Sequence, residues 1–344
     1  MHMADALISP AVGGTMWAAT AGLTLYSARK LKQEMDDRQL PLMGVLGAFV
    51  FAAQMINFTI PATGSSGHLV GGLILCILLG PYAAFLTLAS VITVQALFFA
   101  DGGLLALGCN IFNMGFFACF IAYPFIYKKI AGDRTTQSRI LLGALAAALV
   151  SVELGAFSVV LETLWSGITE LPFSTFVVLM LPIHLAIGVV EGLITAAVVT
   201  FVWKARPEIL EMAPATAATG GRSFKPVILG LVAVAVFTGG LFSWFASTHP
   251  DGLEWSIQKV TGQEELQAPQ AGAHGVLAAL QEKLAFLPDY DFKPPPGGHQ
   301  AQKESSWPEV SSGKSLAGVL GGGITLLLAG AIGFGLKKFT VRKG

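Results

Sequence analysis

The sequence predicts an all-α protein that crosses a membrane several times, as a seven-helix bundle followed by a two-helix module. Of its 344 residues, 53% are hydrophobic and only 12% are charged, and the mean hydropathy is +0.67. Long apolar runs on such a background indicate a polytopic membrane protein. The formal net charge is zero, so the composition gives no sign of a nucleic-acid surface.

The basic residues predict the orientation of the chain. Arg29, Lys30, Lys32 and Arg38 follow the first apolar segment, and no basic residue precedes it. The positive-inside rule therefore places the N-terminus outside the cytoplasm. Basic clusters after the fifth, seventh and last segments agree with this alternation. We therefore expect nine spans, with the N-terminus outside and the C-terminus inside.

The apolar segments differ in length. Segment three has twelve residues and measures ~18 Å as a helix, less than the ~30 Å hydrocarbon core. Either it is tilted into a thinned region, or the loop before it dips into the membrane. We expect an outer loop at 162–172, after the sixth segment. The segments are 7–27, 42–60, 69–80, 81–100, 107–127, 140–161, 173–203, 227–246 and 315–336.

The last third of the chain has a different pattern. Residues 206–224 are mostly small and typical of a flexible linker. Residues 225–344 hold two apolar segments around a polar, acidic region, 247–312, which we expect to be an external loop. In the final segment Gly318 and Gly322 form a GxxxG pattern, a signal for close helix packing.

No motif for nucleotide hydrolysis is found in the sequence. Gly313-Lys314-Ser315 resembles the end of a phosphate-binding loop, but Pro308 stands where that motif needs glycine. We therefore expect no ATPase activity on this chain, and uphill transport would need another subunit. Cys76, Cys109 and Cys119 lie in apolar runs without a CxxC pair, which favours buried thiols over disulfide or metal roles.

The first residues can chelate a metal ion. The Met1 amine, the His2 amide nitrogen and the His2 imidazole can close adjoining chelate rings around one ion. A nearly planar nitrogen set suits Ni(II) and Cu(II) best. The alternative is that His2 belongs to a frayed terminus, since chain ends are often disordered.

A fourth nitrogen donor can come from His68. It ends a glycine- and serine-rich loop, 61–68, just before the third apolar segment. The predicted orientation puts this loop on the same side of the membrane as His2. Irregular backbone near a membrane is tolerated where it lines a cavity. The alternative is that His68 only caps the next helix.

Ionisable residues inside predicted spans are further candidates. His184 and Glu191 lie seven residues apart in segment seven, so they share one helix face. Three roles are open for this pair. The two residues can form a polar layer or packing contact beneath the metal site, they can serve as a proton path or direct ligand, or they can make an unrelated interhelical hydrogen bond. Glu153 lies in segment six.

Several motifs together resemble one known family. They are Met1-His2-x-x-Asp5, the stretch 64–72, the stretch 106–115 and His184 with Glu191-Gly192. Over residues 1–205 the chain resembles the CbiM/NikM family, the substrate-binding (S) components of energy-coupling-factor nickel and cobalt importers. The sequence Pro-Asp-Gly-Leu-Glu at 250–254 is similar to the PDGLE signature of the CbiN/NikN partner. The chain thus resembles a fusion of both proteins.

The resemblance implies which residues bind the metal. The ligands would be the Met1 amine, the His2 amide and imidazole, and the His68 imidazole. Asp5 would hold the N-terminal loop. Residues that would support the ligands are Asn57, Ser65, Ser66 and Asn113. Ala4 and Ala6 stand where the family usually has proline and glycine, which leaves the exact loop shape open.

The resemblance also implies the function. It is high-affinity capture and import of Ni²⁺ or Co²⁺ across a bacterial inner membrane, with a membrane coupling (T) subunit and two cytoplasmic ATPase subunits. No organic cofactor and no nucleic acid are expected. A planar nitrogen set favours nickel slightly. The alternatives are a membrane metal sensor, and an intramembrane enzyme that uses His184, Glu191 and Glu153.

Overall fold

The computed structural model describes residues 2–34, 39–132, 136–206, 210, 225–293 and 307–341. In this part of the chain, five helices are long and apolar enough to cross a membrane. The protein is therefore a multi-pass, mainly helical membrane protein, as predicted. The count of nine spans remains a prediction. Of the linker 206–224, only residues 206 and 210 lie within the described part.

The helices are numbered in chain order. They are α1 (Pro10–Glu34), α2 (Gln39–Gln54), α3 (Gly72–Leu79), α4 (Pro81–Phe99), α5 (Leu107–Ala131), α6 (Gln137–Ser166), α7 (Phe173–Ala205), α8 (Lys225–Gly240), α9 (Gly252–Thr261), α10 (Gly272–Leu284) and α11 (Ser312–Val341). Short 3₁₀ turns cover Asp5–Leu7, Phe242–Phe245 and Pro288–Tyr290. The five candidate spans are α4, α5, α6, α7 and α11.

The third predicted segment contains a short helix. Its helix α3 has eight residues, all buried, and an eight-residue helix rises only ~12 Å. Gly80, with φ 78°, and Pro81 then separate α3 from α4. The segment before α3 is a short antiparallel hairpin of β1 (Phe58–Ile60) and β2 (Ser65–Gly67). No pattern in the sequence indicated this hairpin.

Helices α5 and α6 bring a carboxylate into the bundle. The middle of α5, Phe112–Tyr127, is a wide π-helix, and α6 packs along it and along α7. The loop predicted at 162–172 starts later than expected. Helix α6 continues to Ser166 and is capped by Gly167, which has φ 62°. Glu162 is therefore a buried helical residue. It is stabilised there by a hydrogen bond from Asn113 Nδ2 to its Oε2, 2.7 Å long.

The C-terminal module (residues 225–341 as described) packs directly on the first bundle. Helices α8 and α11 lie against α2, and α11 also contacts α4. Gly44 of α2 lets the main chain of α11 approach closely, since a Cβ there would lie 2.7 Å from the Leu326 carbonyl oxygen. Gly318 of α11 packs against the main chain of Gly239 in α8. The contact at Gly322 is looser, since a Cβ there would lie 3.7 Å from the Ala48 carbonyl oxygen.

The region 247–312, expected as an external loop, contains two helices. Asp251 caps α9: its Oδ1 accepts hydrogen bonds from the N–H groups of Leu253 and Glu254, at 2.7 and 2.9 Å. Glu254 Oε2 in turn accepts from the Asp251 N–H, at 2.8 Å, which completes a capping box. Helix α9 packs on α7 and β2, and α10 packs on α4. These contacts place the PDGLE motif beside the hairpin.

Candidate metal-binding site

The N-terminal segment is folded into the protein. The Asn110 side chain makes two hydrogen bonds to the Met3 main chain. Its Oδ1 accepts from the Met3 N–H at 2.7 Å, and its Nδ2 donates to the Met3 carbonyl at 3.2 Å. The Gly103 N–H also donates to the Met3 carbonyl, at 2.9 Å. Asp5 Oδ1 accepts from the Ala106 N–H at 3.0 Å. These bonds fix the segment against the start of α5.

The turn that receives this segment needs glycine. Gly102 has φ 79°, a conformation that residues with a Cβ rarely adopt. A Cβ on Gly103 would collide with the carboxylate of Asp5. The small residues of this turn thus let the N-terminal segment approach the main chain between α4 and α5.

His2 is held by a carboxylate. Its side chain is only 7% exposed, and its Nδ1 lies 3.2 Å from Asp101 Oδ1. The Tyr290 hydroxyl donates to the other oxygen of Asp101. The His2 Nε2 is buried and has no hydrogen-bond partner in the described part of the chain. The ring stacks on that of His68, with centroids 5.2 Å apart and planes inclined by 18°.

His68 follows β2 directly and lies in the buried approach to α3. Its Nδ1 lies 3.0 Å from the Leu69 carbonyl oxygen, which can only accept, so Nδ1 carries the proton and Nε2 the lone pair. Burial lowers the pKa of His68 to about 3, and burial also lowers the pKa of His2. Both rings are therefore neutral at physiological pH, the form that binds metals.

Glu191 fixes the main chain just after His68. Its two oxygens accept hydrogen bonds from the N–H groups of Val70 and Gly71, at 2.7 and 2.9 Å. These amides precede α3, where no other helical partner is available to them. The carboxylate reaches them from α7, which ties the His68 loop to that helix.

The PDGLE region docks on the other side of the same loop. The Ser66 N–H donates to the Pro250 carbonyl, and its Oγ donates to the His249 carbonyl, both at 2.8 Å. The Trp255 indole N–H donates to the Thr63 carbonyl at 3.0 Å. The hairpin that positions His68 is therefore held between α7 and the C-terminal module.

The module also touches the N-terminal segment. His274 Nε2 lies 2.9 Å from the Ile8 carbonyl oxygen. Gln281 Nε2 donates to the carbonyls of Ala96 and Gly102, at 2.9 and 2.8 Å. The module thus contacts both segments that carry the predicted imidazole ligands.

The remaining predicted residues lie around the histidine pair. Met1 lies outside the described residues. Ser65 is buried, and its Oγ donates to the Ser66 carbonyl at 3.2 Å. The Asn57 carbonyl accepts from the Ser247 N–H at 2.7 Å, and Asn57 lines the cavity next to His2 and His68. Asn113 Nδ2 contacts the Met3 sulfur at 3.7 Å as well as Glu162, so it lies beneath the N-terminal segment.

His184 packs beneath the PDGLE motif. Its Nδ1 lies 2.8 Å from the Met180 carbonyl, so Nδ1 donates and Nε2, which has no partner among the described residues, carries the lone pair. Its ring packs against the main chain of Gly252, because a Cβ there would lie 3.0 Å from His184 Cε1. The side chain is fully buried. His184 thus forms part of the seat for the PDGLE motif.

The arrangement limits how a metal ion can bind. Within the described part of the chain, no three His, Cys, Asp or Glu side chains converge on one point that could hold a metal. The predicted set needs only two such side chains, and takes its other donors from the main chain and the terminus. A chelate ring that includes the His2 amide nitrogen must close through Nδ1. In the structure this nitrogen faces Asp101, so loading through it requires the imidazole to rotate about its Cβ–Cγ bond.

Some residues of the site were missed from the sequence. Asp101 and Gly103 appeared only as an outer turn, although an acid on the predicted outer side was a signal for a partner of His2. Asn110 lay inside a quoted motif without a role. Glu162 was expected in a loop. Asp251 was named only as part of the PDGLE signature, with no role in the site.

Residues 2–209 match the CbiM family model, described as the cobalt uptake substrate-specific transmembrane region. The chain belongs to the CbiM family. Residues 225–338 match the PDGLE domain, so the CbiM-family chain carries this domain fused behind its transmembrane region.

One relative is similar along nearly the whole chain, and others are similar over about 60% of it. A putative fused nickel transport protein, NikMN, of Archaeoglobus fulgidus is 32% identical over 98% of this chain and 99% of its own length. A putative metal transport protein of Haloquadratum walsbyi is 36% identical over 61% of this chain and 93% of its own length. A crystal structure of a truncated transition metal transporter is 30% identical, with a TM-score of 0.53, over 60% of this chain and 99% of that one.

Proposed function

We propose that this CbiM-family chain captures Ni²⁺, or Co²⁺, with high affinity outside the cytoplasm and delivers it inward. The observation that carries this proposal is the stacking of His2 on His68, two neutral imidazoles from distant parts of the sequence. Two imidazoles already held side by side lose less conformational entropy on binding an ion than two separate side chains would, which favours tight binding. The nickel transport name of the fused relative supports the same substrate.

The ligands we propose are those predicted from the sequence. They are the Met1 amine, the His2 amide and imidazole, and the His68 imidazole. Such a nitrogen-rich, nearly planar set favours nickel over cobalt. Asp101 supports His2, and Glu191 with the hairpin supports His68. Amine and imidazoles must lose protons to bind, so metal affinity falls as pH falls.

Energy for import would come from other proteins. We propose that the chain works as the substrate-binding component of an energy-coupling-factor transporter, with a membrane coupling subunit and two cytoplasmic ATPases. The sequence supports this because it lacks a nucleotide-binding motif. The proposed orientation, with the N-terminus outside, puts the histidine pair on the side from which nutrient metal arrives.

Metal analysis of the purified protein tests the site. The native protein should retain one nickel ion per chain, and His68→Ala should lose it. His249→Ala, which removes an exposed imidazole from the outer region, is the matched control and should retain nickel. A form extended by one residue before Met1 should also lose the metal, because its amine is displaced. Normal retention by the extended form would remove the amine from the ligand set.

Transport is a separate question from binding. Uptake of radioactive nickel should occur in cells that express the chain together with the ATPase subunits, and fall to background without them. If the chain binds nickel but neither the cells with the ATPase subunits nor those without them take it up, the protein is a metal sensor. An intramembrane enzyme is disfavoured because both oxygens of Glu191 are occupied by the amides of Val70 and Gly71.

A further inference from the structure

A cavity of about 570 Å³ lies between the C-terminal module and the histidine pair. His2 and His68 form part of its wall, and both side chains are largely buried. Glu264 and Glu265, on the segment between α9 and α10, also line it and are exposed to solvent. The cavity therefore leads from the outer surface of the module to the stacked imidazoles.

The wall of this cavity is strongly acidic. Among the described residues that line it, Lys314 is the only Lys or Arg, and it is paired with Glu309. Five of the acids come from the C-terminal module, one comes from the turn after α4, and one comes from the N-terminal segment. The carboxylates are Asp5, Asp101, Asp251, Glu254, Glu264, Glu265 and Asp289.

These carboxylates act on one another across the cavity. Burial raises the pKa of Asp289, and the charges of Glu265 and Asp101 raise it further. Burial also raises the pKa of Glu254 to about 7, with Asp251 adding to the shift. Asp289 and Glu265 belong to different segments, so the module folds to bring like charges together. A cation in the cavity would relieve this repulsion.

A second feature at the inner end also points to a cation. The His2 side chain is more than nine-tenths buried and lines the cavity, yet its Nε2 has no hydrogen-bond partner among the described residues. A buried ring nitrogen without a partner is costly in a folded protein, and most such groups are satisfied. The carboxylates and the His2 side chain line the same cavity.

We propose that the C-terminal module builds an acidic vestibule, which concentrates hydrated divalent cations from outside and delivers them to the His2–His68 pair. The inference rests on the proposed function and assigns the module a role in the rate of capture. Acidic walls of low dielectric focus the field, and such focusing raises the association rate of cations without any direct bond. Dissociation depends on the nitrogen ligands and should not change.

Association kinetics of Ni²⁺ with the full chain in detergent test the proposal. In a stopped-flow experiment, Glu264→Gln with Glu265→Gln should lower the association rate constant by about threefold to tenfold at low salt. The gap should close at high salt, since added ions screen exposed charges. The dissociation rate and the visible spectrum of bound nickel should match those of the unmodified protein.

The control removes the same charge from elsewhere on the proposed outer side. Glu170→Gln with Glu282→Gln changes two exposed carboxylates that do not line the cavity, and should leave the association rate unchanged. Equal association rates for the two double variants would overturn the vestibule. A faster dissociation with an unchanged association rate would also overturn it, because the carboxylates would then act at the ligands.

The proposed function fails in a different way. If the unmodified protein retains no nickel, both the capture site and the vestibule are wrong. If the unmodified protein retains nickel and His68→Ala does not, the capture site is supported. The association rates of the two double variants then test the vestibule separately.

Discussion

The imidazole of His2 lies stacked on that of His68, with centroids 5.2 Å apart. One ring belongs to the N-terminal segment, and the other follows a hairpin after α2. Each is held by a different element, His2 through Asp101 after α4 and the His68 loop through Glu191 of α7. The two supports can therefore be removed one at a time.

Asp101 should strengthen metal binding through His2. If the imidazole rotates to present Nδ1 to the metal, Nε2 moves to the side of Asp101, and the carboxylate can accept its proton. Carboxylates that orient a ligand histidine typically contribute 10- to 100-fold in affinity. We expect Asp101→Asn to weaken nickel binding about tenfold, measured by competition with a chelator of known affinity. Tyr290→Phe, which leaves the carboxylate in place, should have a smaller effect; an equal effect would contradict a direct role for Asp101.

Glu191 should matter for the position of His68 and for stability. In Glu191→Ala the buried amides of Val70 and Gly71 lose their acceptors, and each orphaned group costs about 1–3 kcal/mol. We expect a lower thermal midpoint together with weaker nickel retention. Glu191→Gln keeps one acceptor oxygen, so its thermal midpoint and nickel retention should lie between those of the unmodified protein and Glu191→Ala. A variant that loses stability but binds nickel normally would show that the loop does not need this clamp.

Gly103 should be intolerant of any side chain. A Cβ there collides with the Asp5 carboxylate, so Gly103→Ala should displace the N-terminal segment and abolish nickel retention while the helices remain folded. Gly14→Ala is the control, because nothing lies within 4 Å of a Cβ at that exposed position in α1. Far-ultraviolet circular dichroism and metal analysis of both proteins provide the measurement. Full retention by Gly103→Ala would show that the segment tolerates displacement.

The orientation of the chain can be checked by thiol labelling. The three native cysteines are all buried, so an introduced exposed cysteine gives the signal. Glu170→Cys should react with a membrane-impermeant maleimide in intact cells, and Lys129→Cys only after lysis. The reverse pattern would invert the topology and place the histidine pair inside.

Gly318 should be needed for the packing of α8 on α11. It contacts the main chain of Gly239, so Gly318→Leu should separate these helices and lower the thermal midpoint. Gly323→Leu on the same helix, where a Cβ meets nothing within 4 Å, should have little effect. Similar losses in both variants would point to the lipid environment instead of this crossing.

The sequence predicted most features that depend on composition or on local pattern. Apolar runs identified the long helices, and the donor chemistry of His2 and His68 predicted a pair that the structure brings together. The GxxxG pattern was informative at Gly318, whereas Gly322 makes only a looser contact. Glu191 was predicted near the site from helical periodicity, but its actual partners are main-chain amides.

The features that were missed depend on long-range contacts. No local pattern shows that Asn110 would bind the main chain of Met3, since the two residues meet only when α5 packs on the terminus. Glu162 looked like a loop residue because its hydrogen-bond donor, Asn113, lies on another helix. The polar region after α8 was expected to be a loop, and its helices are fixed by the Asp251 capping box and by docking on the bundle.

The contacts made by Pro250, His274 and Gln281 have a consequence for assembly. If the two modules were separate proteins, this docking would depend on the abundance of each and would compete with dilution in the membrane. A covalent tether makes the encounter intramolecular, with an effective concentration on the order of millimolar for a short connection. The partner surface is then occupied at any expression level, in a fixed ratio of one to one.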